Sequence, residues 1–127
     1  MMVREPKKIL IIEDDEDLHL LYRLYLQGES YQIFQARNGK EGLELAEQKN
    51  PDLIILDMIM PVMDGEEFIQ KFRFEKKIFD VPVIIASVND KIPPHLIEKG
   101  KILKVLRKPF PIDVLLREIE SVFKIPC

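Results

Sequence analysis

The sequence predicts an α/β domain, a doubly wound parallel sheet built from five strand–helix units. Three observations carry that prediction. Five short apolar runs recur along the chain, and segments with helical spacing separate them. Two of the runs, at Leu53 and Val83, are apolar at successive positions rather than alternate ones. Such runs suit strands covered on both faces, the condition of a parallel sheet with helices on either side. Strict alternation of strand and helix then implies right-handed crossovers.

In order, Lys8-Ile9-Leu10-Ile11-Ile12 is the first strand, and it stops abruptly at Glu13-Asp14-Asp15. Leu18, Leu21, Tyr22 and Tyr25 repeat at helical spacing up to Gly28, which predicts a first helix with that face inward. Tyr31 to Ala36 is the second strand. Asn38-Gly39 opens a second helix, which carries Leu43 and Ala46 and ends before Asn50-Pro51. Leu53 to Leu56 follows as a strand, and Gly65 to Phe74 as a helix with Phe68, Ile69 and Phe72 on one side. Val81 to Ala86 is the fourth strand. The next helix is short, because Pro93-Pro94 suit a helix start and Gly100 an end. Ile102 to Leu106 and Pro111 to Phe123 complete the set, the last with Val114, Leu115, Glu118, Ile119 and Val122 in register. Without repeats or linkers, residues 1–127 read as a single domain.

Composition narrows the function. A chain of 127 residues, 46% hydrophobic, can bury a core without disulfides or structural metals. With 22 acidic and 19 basic residues the net charge is -3, which argues against nucleic acid as a main partner. The one cysteine, Cys127, excludes a disulfide framework and any multi-cysteine metal site. No apolar run approaches a membrane span, and Met1 to Pro6 lacks the apolar core of a signal peptide. A reducing, cytoplasmic setting is the expectation.

In an open parallel sheet, ligands lie beyond the carboxyl ends of the strands. The residues there are Glu13 and Asp14 after the first strand, Asp57 after the third, Ser87 after the fourth and Lys108 after the fifth. Carboxylates about 5 Å apart repel by about 3 kcal/mol per pair at an effective dielectric near 20, so the trio asks for a cation. An all-oxygen set points to a hard ion, and few carboxylates with retained waters suit Mg²⁺ better than Ca²⁺. Asp57 could then attack phosphorus, with Lys108 and the Ser87 hydroxyl holding phosphoryl oxygens.

From Lys8 to about Phe123 the chain resembles the receiver domain of two-component response regulators. The resemblance is carried by Ile11-Ile12-Glu13-Asp14-Asp15, by Asp57 through Gly65 (Asp-Met-Ile-Met-Pro-Val-Met-Asp-Gly), by Pro82 through Ser87, and by Lys108-Pro109-Phe110. It implies a flavodoxin-like (CheY-like) three-layer sandwich with strand order 2-1-3-4-5. It further implies Asp57 as phosphoacceptor and Asp14 as a direct Mg²⁺ ligand, with Mn²⁺ as a substitute ion. Glu13 would act largely through water, and the Ile59 backbone carbonyl would complete the set. Ser87 would report the phosphoryl group, and Lys108 would be the cation, aimed by a cis bond to Pro109. The implied partners are a sensor histidine kinase or histidine phosphotransfer protein, and a downstream protein met by the fourth helix, fifth strand and fifth helix. The role is signalling rather than metabolism, with the domain assisting its own phosphorylation and dephosphorylation.

Three departures from the family pattern bear on switching. Val88 stands where a small residue usually follows the hydroxyl, Val105 replaces a frequent aromatic, and two prolines open a short fourth helix. They support one alternative, a phosphorylation-independent interaction module. A haloacid dehalogenase-like hydrolase would need an acid where Ile59 stands, and the acidic first loop would repel a flavin phosphate. DNA binding would require an effector domain beyond Phe123. His19 and His95 are expected on exposed helix positions, Met58, Met60 and Met63 in loop packing, and Asp64-Gly65 at a turn and helix start.

Overall fold

Three central strands set the frame: Lys7–Ile12 (β1), Leu53–Leu56 (β3) and Val83–Ser87 (β4). From Ile9 onward every residue of the three is buried, as their unbroken apolar runs require. Tyr31–Ala36 (β2) and Lys104–Arg107 (β5) flank them, giving a five-stranded, all-parallel sheet in the order β2-β1-β3-β4-β5. Both the class and the expected order hold. The computed structural model describes residues 5–26, 31–89 and 91–124. The expected helix end at Gly28, the start at Met1 and the lone Cys127 lie outside the described residues.

The helices are Glu16–Leu26 (α1), Gly39–Lys49 (α2), Gly65–Ile69 (α3), Pro94–Lys99 (α4) and Ile112–Phe123 (α5). Alternate strand residues feed two cores. Leu10, Ile12, Ile54, Leu56, Val83 and Ile85 pack with Leu43, Phe68, Phe72 and Leu96 from the α2–α4 side. Ile9, Ile11, Leu53, Ile55, Ile84 and Ala86 pack with Tyr22, Leu26, Leu115 and Ile119 from α1 and α5. The result is three layers.

Local chemistry fixes the ends. Asn38 and Asp64 cap α2 and α3, their side chains accepting from the amides of Glu41 and Glu67 at 2.9 Å. Gly65 is needed for space: a β-carbon there would lie 2.6 Å from the Asp57 carbonyl oxygen and 2.7 Å from Met58 Cα. The start of α3 therefore rests directly on the segment that carries Asp57. Met58, Met60 and Met63 are buried in the same core, as expected. Between them Val62 is exposed and sits at φ 69°, a left-handed conformation in which a β-branched residue is strained.

The structure corrects the expectation in four respects. The inward stripe of α1 is His19, Tyr22 and Leu26, whereas Leu21 and Tyr25 are 37% and 49% exposed. His19 is fully buried rather than exposed, because its ring finds two backbone carbonyls; His95 is exposed as expected. The third helix gives way after Ile69 to a π-helical turn, Gln70–Glu75, closed by the Lys76 amide on the Lys71 carbonyl. Finally, β4 begins and ends later than expected, so that Ser87 is its last residue, and β5 likewise starts at Lys104.

The π turn also buries Arg73, 1% exposed, whose Nε and Nη1 donate to the carbonyls of Gly100 (2.7 Å) and Ile78 (2.8 Å). Among the described residues no helix is long and apolar enough to cross a membrane.

Candidate functional site

The parallel register brings the acids together. The Asp57 amide donates to the Ile12 carbonyl at 2.9 Å, continuing the β1–β3 ladder one step past the strand. The Glu13 amide does the same toward Ala36 of β2 at 3.0 Å. Two neighbouring strands thus end on adjacent carboxylates, and Asp14 follows at once. One oxygen from each of Glu13, Asp14 and Asp57 lies within 4.8 Å of the others. Glu13 and Asp57 are buried and Asp14 is exposed.

Lys108 enters from β5, its amide held by the Ser87 carbonyl at 2.9 Å. The peptide bond to Pro109 is cis, as the family resemblance implied. Its Nζ donates to Glu13 Oε1 at 2.5 Å and to Asp57 Oδ2 at 3.4 Å. Each buried acid also accepts a backbone N–H, Glu13 Oε2 from Asp15 (3.1 Å) and Asp57 Oδ1 from Ile59 (3.2 Å). Burial pushes the Glu13 carboxyl up to about 7, the nearby Asp57 charge adding to the rise and the Lys108 hydrogen bond opposing it. The Tyr22 phenol is likewise raised, first by burial and then by the charges of Glu13, Asp57 and Asp15, so its hydroxyl stays protonated.

Of the expected site residues, Glu13, Asp57 and Lys108 therefore meet directly, and Asp14 converges on the two acids within 4.8 Å. Ser87 is buried at the end of β4, linked to Lys108 through its carbonyl, with its Oγ accepting from the Asn89 amide at 3.3 Å. Val88 follows, 57% exposed, and Val105 is exposed on β5 next to the buried Leu106. The Ile59 side chain is exposed while its amide is spent on Asp57.

Two features escaped sequence reasoning. One is the Lys108–Glu13 pair, which joins residues 95 positions apart. The other is His19, whose spacing of three from Tyr22 was the available signal. An apolar recess of about 200 Å³ opens beside the site between α1 and the start of α5, with Lys108 as its one charged wall. A larger hollow, about 410 Å³, lies at the opposite, amino-terminal end of β3 and β4, by Asn50, Asp52 and Asp80, away from these groups.

The donor set fits a hard divalent cation. Three carboxylates converge, no histidine or cysteine among the described residues joins them, and the Lys108 ammonium already supplies one positive charge to the two buried acids. The same arrangement leaves one Asp57 oxygen beside an ammonium, ready to face an incoming anionic group.

Comparison with known proteins agrees with this geometry. The family pattern of the response regulator receiver domain matches residues 9–120. The chain is 36% identical over 110 residues to the sporulation initiation phosphotransferase F of Bacillus subtilis, covering 84% of this chain and 86% of that one. A Thermotoga maritima response regulator, solved in complex with Mg(2+)-BeF, superposes with a TM-score of 0.79 at 30% identity, covering 92% and 99% of the two chains. A B. subtilis regulator of alkaline phosphatase synthesis is 35% identical over 85 residues, which is 67% of this chain but only 35% of that longer protein. By fold, by the acids gathered at the strand ends and by likeness across nearly its whole length, the chain belongs to the receiver domains of two-component response regulators.

Proposed function

We propose that Asp57 is the phosphoacceptor of this domain and that it works with Mg²⁺ (or Mn²⁺) held by Asp14, Asp57 and the Ile59 carbonyl, with Glu13 acting through water. The supporting observation is the convergence of Glu13, Asp14 and Asp57 within 4.8 Å with Lys108 bonded to two of them. When bound, the ion neutralises the acids and aligns the oxygens of the transferring group. An Asp57 carboxylate oxygen attacks phosphorus and forms the acyl-phosphate O–P bond as the phosphorus–nitrogen bond to the donor histidine breaks and the imidazole leaves. The Ile59 amide fixes the other Asp57 oxygen. Lys108 balances charge on the phosphoryl oxygens, and the Ser87 hydroxyl donates to another and moves with it. In this way the domain assists its own phosphorylation and dephosphorylation.

The donor is a sensor histidine kinase or histidine phosphotransfer protein, and the setting is the cytoplasm. The signal leaves through the α4–β5–α5 face, with Ser87, Val88 and Val105 at its origin, and residues 1–127 act as one receiver domain. The assembled acids, hydroxyl and lysine do not favour a phosphorylation-independent interaction module. Mass spectrometry after incubation with acetyl phosphate and Mg²⁺ tests the reading. The wild type should gain one phosphoryl group, and neither Asp57→Asn nor the wild type without Mg²⁺ should; uptake by Asp57→Asn would place the acceptor elsewhere.

A further inference from the structure

We propose that His19 is a positioning residue for the metal-binding acids, fixing the backbone of Glu13 and with it the approach of Asp14. The inference rests on the reading that these acids hold Mg²⁺. His19 is wholly buried in α1, and its Nε2 lies 2.5 Å from the Glu13 carbonyl oxygen and 3.1 Å from that of Ala36. Both oxygens only accept, so Nε2 carries the proton and Nδ1 carries a bare lone pair. The Ala36 oxygen also accepts from the Glu13 amide. Both main-chain polar groups of Glu13 are therefore tied to one node that joins β1, β2 and α1. The Glu13 carbonyl belongs to the peptide that leads into Asp14, so its direction sets where the next carboxylate starts. A Gln35 side-chain N–H on the His19 carbonyl, at 2.9 Å, holds the helix itself to β2.

A purely structural histidine explains this poorly. Nδ1 is buried with no hydrogen-bond partner, a cost that leucine or phenylalanine in the same space would avoid. What the ring supplies and a hydrocarbon lacks is a directed N–H aimed at the carbonyl of a site acid. Groups that orient metal ligands from behind are worth about ten- to a hundredfold in affinity.

The test is Mg²⁺ titration by calorimetry at about pH 8, where exposed carboxylates are ionised. Wild type, His19→Leu and His19→Gln are compared, with urea unfolding of each measured without metal. His19→Leu should weaken Mg²⁺ binding by about tenfold, the low end of that range because the contact is to backbone. His19→Gln, which keeps an N–H donor, should recover most of the affinity. Equal binding by wild type and His19→Leu overturns the positioning role while leaving the metal site intact, as does a His19→Gln variant no better than His19→Leu. A wild type that binds no Mg²⁺ overturns both the site reading and this inference. Independently of any variant, ¹⁵N shifts of the wild-type ring should place the proton on Nε2; a proton on Nδ1 refutes the geometry.

Discussion

Strands β4 and β5 are neighbours in one sheet, yet all five residues of β4 are buried while only Leu106 of β5 is. The same contrast runs through their surroundings. The half of the domain built on β1, β3 and β4 places Glu13, Asp57 and Ser87 at the ends of strands without slack. The α4–β5 flank is held mainly by Leu96, Leu106 and the reach of Arg73. Electrostatic work on a phosphoryl group needs carboxylates that do not move. A response to that group needs a region with little packing to undo. On the function proposed above, the sheet separates the two requirements by one strand.

The contrast can be broken by truncation. Ile84→Ala, in β4, should cost about 2–5 kcal/mol in urea unfolding, whereas Val105→Ala, next door in β5, should stay within about 0.5 kcal/mol. Similar losses at the two sites would refute it.

A second experiment asks whether the tight half carries strain of its own. The folded-state pKa of Glu13 is near 7 against an ordinary value of 4.5. Between those values the folded protein binds the proton more strongly than the unfolded chain does. Stability of the metal-free protein should therefore fall as pH rises from about 4.5 through about 7, counter to the usual carboxylate trend. Glu13→Gln should flatten that limb of the curve, and an unchanged slope would assign it to another group.

Smaller effects sharpen the picture. Val62→Gly relieves the left-handed backbone in the loop after Asp57 and should stabilise by about 0.5–1 kcal/mol once the entropy of glycine is counted. Val88→Ala should speed phosphorylation by acetyl phosphate about two- to threefold, roughly 0.5 kcal/mol of barrier, by opening the path past a half-exposed side chain. Equal rates would remove Val88 from the approach.

Most of the frame was legible because parallel strands advertise themselves: Leu53–Leu56 has no polar residue to misread, and the acids stand where it and β1 stop. The failures have different causes. A buried polar residue looks exposed in a sequence unless its partner is visible, and the partners here are backbone carbonyls. An isolated histidine such as His19 is expected outward for that reason, and the expectation rotates the predicted face of α1. The Lys108–Glu13 pair spans most of the chain, so no local pattern announces it. The π turn in Gln70–Glu75 leaves the Phe68, Ile69 and Phe72 stripe intact and so leaves no trace in periodicity.

The guanidinium of Arg73 gives the fourth helix an unusual dependence. Six residues are far too few to hold a helix alone, and α4 opens on prolines without a side-chain cap. At its other end the Gly100 carbonyl, exposed by the helix's termination, meets a buried cation from another element. A segment so propped has its shape on loan from its neighbours: loosen the prop or pull out Leu96, and it loses what keeps it helical while the buried strands of the sheet stay in place.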